Sequence, residues 1–187
     1  MKKKEVLAAI GIFIALWGLF AVFTARLREP SDNYVFDFFP RWYGTRQVFL
    51  EGSTNPYSVR IERSIQDHME FEEYQPHRHN FLYPATIMYI LLPFWLLPWS
   101  ISISLWAGLT LTLFLVLPLI VSLMLGWRIP PLLLLPLTFS STFLFRHSIH
   151  NYLFGQFLIF IAASWILSWW ATVHRKPFLS AIALIFS

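Results

Sequence analysis

The chain has 187 residues, of which 57% are hydrophobic and 13% charged, and its net charge is +4. A soluble domain carries about 25% charged residues, and here no Asp or Glu follows Glu73, which excludes a water-soluble surface over the whole chain. The lack of cysteine excludes disulfides and thiolate chemistry, and the scattered basic residues form no nucleic-acid patch.

The composition reads as an all-α polytopic membrane protein with one polar insert. Residues 6–25 are uncharged and, at 1.5 Å per residue, cover about 30 Å, the thickness of a bilayer core. Lys2, Lys3 and Lys4 precede this run, and Arg26 and Arg28 follow it. It is longer than the roughly 7–15-residue core of a signal peptide, so it reads as a retained anchor. Residues 26–80 hold most of the charge and form a polar loop. Within the loop, one helix is expected from Asp37 to Glu51, with Asp37 as N-cap, Pro40 in the first turn and Gly52 as its stop. A second is expected from Ser58 to Glu72, where Ile61, Ile65 and Met69 make an apolar stripe suited to a membrane surface. Asn55-Pro56-Tyr57 is the turn between them.

Further spans are expected at about 81–99, 101–126, 129–145 and 151–173. A sixth apolar run, 177–187, is too short to cross, and the expectation is a fragment of a longer chain. Pro84, Pro93, Pro98, Pro118, Pro130, Pro131 and Pro136 fall in these segments, which points to kinked or short helices around an internal site. With the three lysines inside, the polar loop is outside. Five full spans would then put Arg128, Arg175 and Lys176 outside, against the positive-inside rule; one re-entrant proline-rich segment would reverse the later loops.

The candidate chemistry is sparse. Asp37 sits in Tyr34-Val35-Phe36-Asp37-Phe38-Phe39-Pro40-Arg41-Trp42-Tyr43, a carboxylate among aromatics with Arg41 as a compensating cation. It is either a general base or a helix cap. Arg146, His147 and His150, with Gln156 close behind, are either phosphate partners or an interfacial belt. His147 and His150 have no third ligand nearby, so no metal is expected. Tyr43, Tyr57 and Tyr83 can stack on a sugar or anchor at the interface. Trp95, Trp99, Trp127, Trp169 and Trp170 read as an aromatic belt. Glu70, Glu72, Glu73, His68, His77 and His79 read as solvated. Phosphate-cradling glycine loops, GxSxG and HExxH are absent.

One ordered set of motifs remains. Asp37-Phe38 and Tyr43 are followed by Gly52, Asn55-Pro56-Tyr57 and Phe81-Leu82-Tyr83-Pro84. Leu92-Pro93-Phe94, Leu97-Pro98, Leu105-Trp106 and Gly155-Gln156 follow in turn. This order resembles glycosyltransferase family 87 of the GT-C superfamily, over its N-terminal portion. Ala85 stands where the family often has a second proline, and Leu158 where it often has Asn. The resemblance implies a GT-C-like helical bundle, a single membrane domain with a helical extracytoplasmic first loop, in the plasma membrane. It implies transfer of a mannose-like hexose from a polyprenyl-phosphate sugar to a glycan or glycolipid hydroxyl. Asp37 would be the base; Arg41, Tyr43, Tyr57, Tyr83, Arg146, His147, His150 and Gln156 would bind substrate. No cofactor is implied. A lipid flippase or small transporter, or a truncated inactive relative, are the alternatives.

Overall fold

The computed structural model describes residues 3–27, 37–52, 55–69, 87–127 and 129–185. Among these residues there are ten helices and no strand. They are α1 (Lys3–Leu27), α2 (Phe38–Leu50), α3 (Val59–His68), α4 (Ile87–Ile90), α5 (Leu92–Trp95), α6 (Trp99–Met124), α7 (Pro131–Phe143), α8 (Arg146–Phe154), α9 (Leu158–Val173) and α10 (Pro177–Ile185). The chain forms two compact units. One comprises Met1–Leu27 and Ser104–Ser187, the other Arg28–Ile103.

The first unit is the apolar one. Leu7–Leu27 of α1 and Trp99–Met124 are each long and apolar enough to cross a membrane, and α7 with α8 counts as a third such segment if the bent pair is one span. Much of their surface is bare hydrocarbon: Ile12, Ile14, Leu123, Leu132 and Leu135 are all exposed, which water would not tolerate. α1 crosses α6 in close contact, with Ala21 against Gly108. The indole Nε1 of Trp17 donates to Leu105 O at 2.8 Å, and Thr24 Oγ1 donates to Ser104 O at 3.2 Å. α6 and α9 run the same way, because Phe157 and Phe160 pack on Trp106 near their starts while Ile166 to His174 face Ile120 to Met124 near their ends. α10 folds back along α9, joined by Ser168 and Ser180 hydroxyls 2.8 Å apart.

Two expected spans take a different form. The predicted span 151–173 is broken at Gly155, whose φ of +63° closes α8, so the long helix is only α9, and α8 begins earlier, at Arg146. The α7–α8 junction bends by 50°. The predicted span 81–99 is not a continuous helix over its described part. Residues 87–95 form only the two short helices α4 and α5, and 81–86 lie outside the described residues. Pro93 falls in the first turn of α5, and Pro98 stands immediately before α6.

The second unit has its own core. Leu91, Phe94 and Trp95 of the 87–95 segment are buried there with Phe38, Phe39, Trp42, Ile61 and Ile65. α2 forms as expected and stops before Gly52, whose φ is +70°, a left-handed turn that glycine takes without steric cost. α3 starts at its N-cap Ser58, whose hydroxyl accepts from Ile61 N at 3.4 Å. Its Ile61 and Ile65 are buried and α3 packs on α2. This corrects the expectation of a surface-lying stripe: the apolar face is already covered by protein. Trp95 and Trp99 likewise belong to this core and its aromatic cluster rather than to a belt.

Candidate functional site

Asp37 immediately precedes α2. It was expected to cap the helix, but its backbone is already helical, with φ −98° and ψ −28°, and its side chain makes no capping hydrogen bond. A cap needs an extended backbone to aim its oxygen at the first free N–H groups. The carboxylate instead faces one turn along the helix, 3.9 Å from Arg41 Nη1. Arg41 is nearly fully buried while the Asp37 side chain is 33% exposed. The pair thus joins an interior cation to a carboxylate that solvent or a substrate can reach. At that separation it is an ion pair rather than a hydrogen bond.

Further along α2, aromatic rings make a floor. Phe38 stacks on Trp99 at 5.7 Å, Phe39 meets it edge-on at 5.0 Å, and Trp42 lies 5.3 Å from it. Trp42 Nε1 donates to Phe94 O at 3.2 Å, and Arg46 Nη1 donates to Trp95 O at 2.8 Å, so α5 braces α2 through two main-chain acceptors. The Arg46 guanidinium lies 5.5 Å from the centre of the Trp42 ring, within cation–π range. Tyr43 and Ser64 hydroxyls are 2.6 Å apart, tying α2 to α3.

Against this floor opens a pocket of about 230 Å³ lined by Phe39, Trp42, Tyr43, Arg46, Gln47, Glu51, His68 and Trp99. His68 Nδ1 is 2.7 Å from Ser64 O. A carbonyl accepts only from a protonated nitrogen, which puts a proton on Nδ1 and, in the neutral ring, leaves Nε2 as an acceptor. The pocket combines ring faces with a guanidinium, a carboxylate, an amide and an imidazole. Such a mixture suits a ligand with an apolar face and several hydroxyls.

The predicted site residues fall into separate groups. Asp37 immediately precedes α2, Arg41 and Tyr43 lie on it, and Tyr43 reaches the pocket. Tyr57 is half exposed in the turn where its N–H donates to Asn55 Oδ1 at 2.9 Å, and it does not line the pocket. Tyr83 lies outside the described residues, as do Glu70, Glu72, Glu73, His77 and His79. Arg146, His147 and His150 are exposed together on α8, in the other unit, with Gln156 half-buried just past the Gly155 turn. Comparison with family models, with curated proteins and with solved structures found no match.

Several residues of interest were missed. His68 is exposed, as the sequence suggests, and it also borders the pocket 4.7 Å from the Tyr43 ring. Its Ser64 partner one turn earlier was the available signal, since i and i+4 meet on a helix. Glu51, Gln47 and Arg46 line the pocket without having been singled out. Asn151 on α8 is 2% exposed and donates to His147 O at 3.0 Å, while its Oδ1 has no hydrogen-bond partner. Among the described residues no three His, Cys, Asp or Glu side chains could hold a metal ion.

Proposed function

We propose that the protein is a multi-pass plasma-membrane glycosyltransferase of the GT-C kind. It transfers a hexose from a polyprenyl-phosphate sugar to an acceptor hydroxyl, with Asp37 as general base. The observation that carries this reading is the Asp37–Arg41 pair: a carboxylate fixed by a buried guanidinium and still one-third open, as a base that must meet an external hydroxyl needs to be. The acceptor oxygen gives its proton to Asp37 and attacks the anomeric carbon. The bond from that carbon to the phosphate oxygen breaks, and polyprenyl phosphate leaves. The aromatic pocket beside α3 offers a platform for the ring of a glycan or glycolipid acceptor.

The orientation that goes with this reading has the lysines inside and the polar loop outside. Its support is the common direction of α6 and α9. If α1, α6, the bent α7–α8 pair and α9 each cross once, Arg175 and Lys176 fall on the lysine side, as the positive-inside rule asks.

A transporter or flippase is less well supported. Thr110, Thr112 and Thr142, buried in α6 and α7, donate to carbonyls of their own helices at 3.0, 2.8 and 2.7 Å, so their polar groups are used locally rather than lining a path. The test is to supply the native protein in proteoliposomes with a radiolabelled polyprenyl-phosphate hexose and a panel of glycan and glycolipid acceptors. Label transferred to an acceptor supports the enzyme. Donor crossing the bilayer without transfer supports the flippase.

A further inference from the structure

An apolar groove of about 680 Å³ runs between the C-terminal parts of α6 and α9, within the first unit. Ile120, Leu123 and Met124 form one wall and Leu167, Trp170 and Val173 the other. At its lip the chain turns through His174, Arg175 and Lys176, all exposed, before entering α10. Trp170 organises this lip: His174 stacks on its ring at 4.6 Å, and Lys176 Nζ lies 4.6 Å from the ring centre.

Arg175 is the informative residue. Its φ is +54°, and it is the one non-glycine residue with positive φ among the described residues. Gly52, Gly126 and Gly155 hold the equivalent left-handed positions after α2, α6 and α8. An arginine in that place carries a steric cost that glycine avoids, so the turn itself does not explain the side chain. Nor does an internal counter-ion. The unit carries Glu5 as its only carboxylate, on α1, and no acid follows Glu73 in the chain. Two adjacent exposed cations, Lys176 resting on Trp170, stand at the mouth of a hydrocarbon-lined groove and call for an anion that brings its own hydrocarbon.

We propose that this groove binds one anionic glycerophospholipid, with an acyl chain between α6 and α9 and its phosphate paired to Arg175 and Lys176. The inference rests on the membrane character of the first unit and is independent of the sugar-transfer reading.

The test uses the full chain in detergent, titrated with short-chain phosphatidylglycerol, phosphatidylcholine or inorganic phosphate and read by native mass spectrometry and thermal melting. Wild type should bind one phosphatidylglycerol about tenfold or more tightly than phosphatidylcholine, as expected for two cations near an anionic headgroup. Inorganic phosphate should leave the melting point unchanged. The double variant Arg175→Gly, Lys176→Gln should lose the preference to within about twofold, while Arg175→Gly keeps the turn and melts no lower than wild type without lipid. Equal affinity of wild type for the two lipids would overturn the proposal. So would a preference that survives the double variant, or a phosphate shift as large as the lipid's.

Discussion

Gly108 of α6 lies against Ala21 of α1 so closely that a β-carbon at position 108 would stand 2.5 Å from the Ala21 nitrogen and 2.8 Å from its Cα. Small residues at such crossings let helix backbones approach where lipid offers no hydrophobic drive to bring them together. The contact sits between the hydrogen bonds Trp17 makes to Leu105 and Thr24 makes to Ser104. Gly108→Ala should therefore destabilise by about 1–3 kcal/mol, the usual cost of overpacking. Gly18→Ala is the control, because nothing lies within 4 Å of a β-carbon there. Thermal unfolding in detergent, run on both variants, checks this; equal melting points would mean that α1 and α6 do not cross at Gly108.

Tyr43 separates a hydrogen-bonding role from a stacking one. Its hydroxyl meets Ser64 at 2.6 Å, and its ring faces the pocket. Tyr43→Phe should cost about 0.5–1.5 kcal/mol of stability and leave the acceptor KM within about threefold. Tyr43→Ala removes the ring as well and should raise that KM about tenfold, in line with the roughly 0.5–1.5 kcal/mol of an aromatic contact. A Tyr43→Ala enzyme with unchanged KM would take the pocket out of acceptor binding.

The native chain has no cysteine, so its orientation can be read directly. Glu51→Cys and Asp67→Cys, both at exposed positions of the second unit, should react with an impermeant thiol reagent on intact cells. Lys4→Cys and Leu125→Cys should react only after permeabilisation. The reverse pattern would invert the orientation, and uniform labelling would argue against a spanning α1 and α6.

Much of the fold was legible because local rules and tertiary packing agree. α2 ends before Gly52 and α3 begins at Ser58, as their stop and cap residues dictate. The long apolar runs became α1 and α6. Over 87–99 the composition is that of a span, but Pro93 and Pro98 interrupt the continuous helix that composition would otherwise make. Leu91, Phe94 and Trp95 are then buried against protein instead of lipid. The candidate site was legible only in part. Asp37 and Arg41 are one turn apart, so their pairing follows from helical spacing. The pocket depends on α3 packing against α2, which brings His68 beside Tyr43 across a loop. No single-helix pattern encodes that approach. The left-handed turn at Arg175 was equally hidden, since glycine is the residue that announces such turns.

Asp37→Asn is the substitution on which the account turns. The ion pair with Arg41 makes it more than a catalytic change, since a charge is lost beside a buried guanidinium. The cost should be about 1–3 kcal/mol, below the roughly 3–5 of a fully buried pair because Asp37 is one-third exposed. Transfer must therefore be measured per folded molecule, at saturating polyprenyl-phosphate hexose, on the native protein in membranes, with donor binding followed in parallel. The account predicts that folded Asp37→Asn binds donor normally and transfers about 10²–10⁴-fold more slowly, the usual loss when a general base is removed. Transfer by that variant within a few fold of wild type would contradict it and leave Asp37 only as the partner of Arg41.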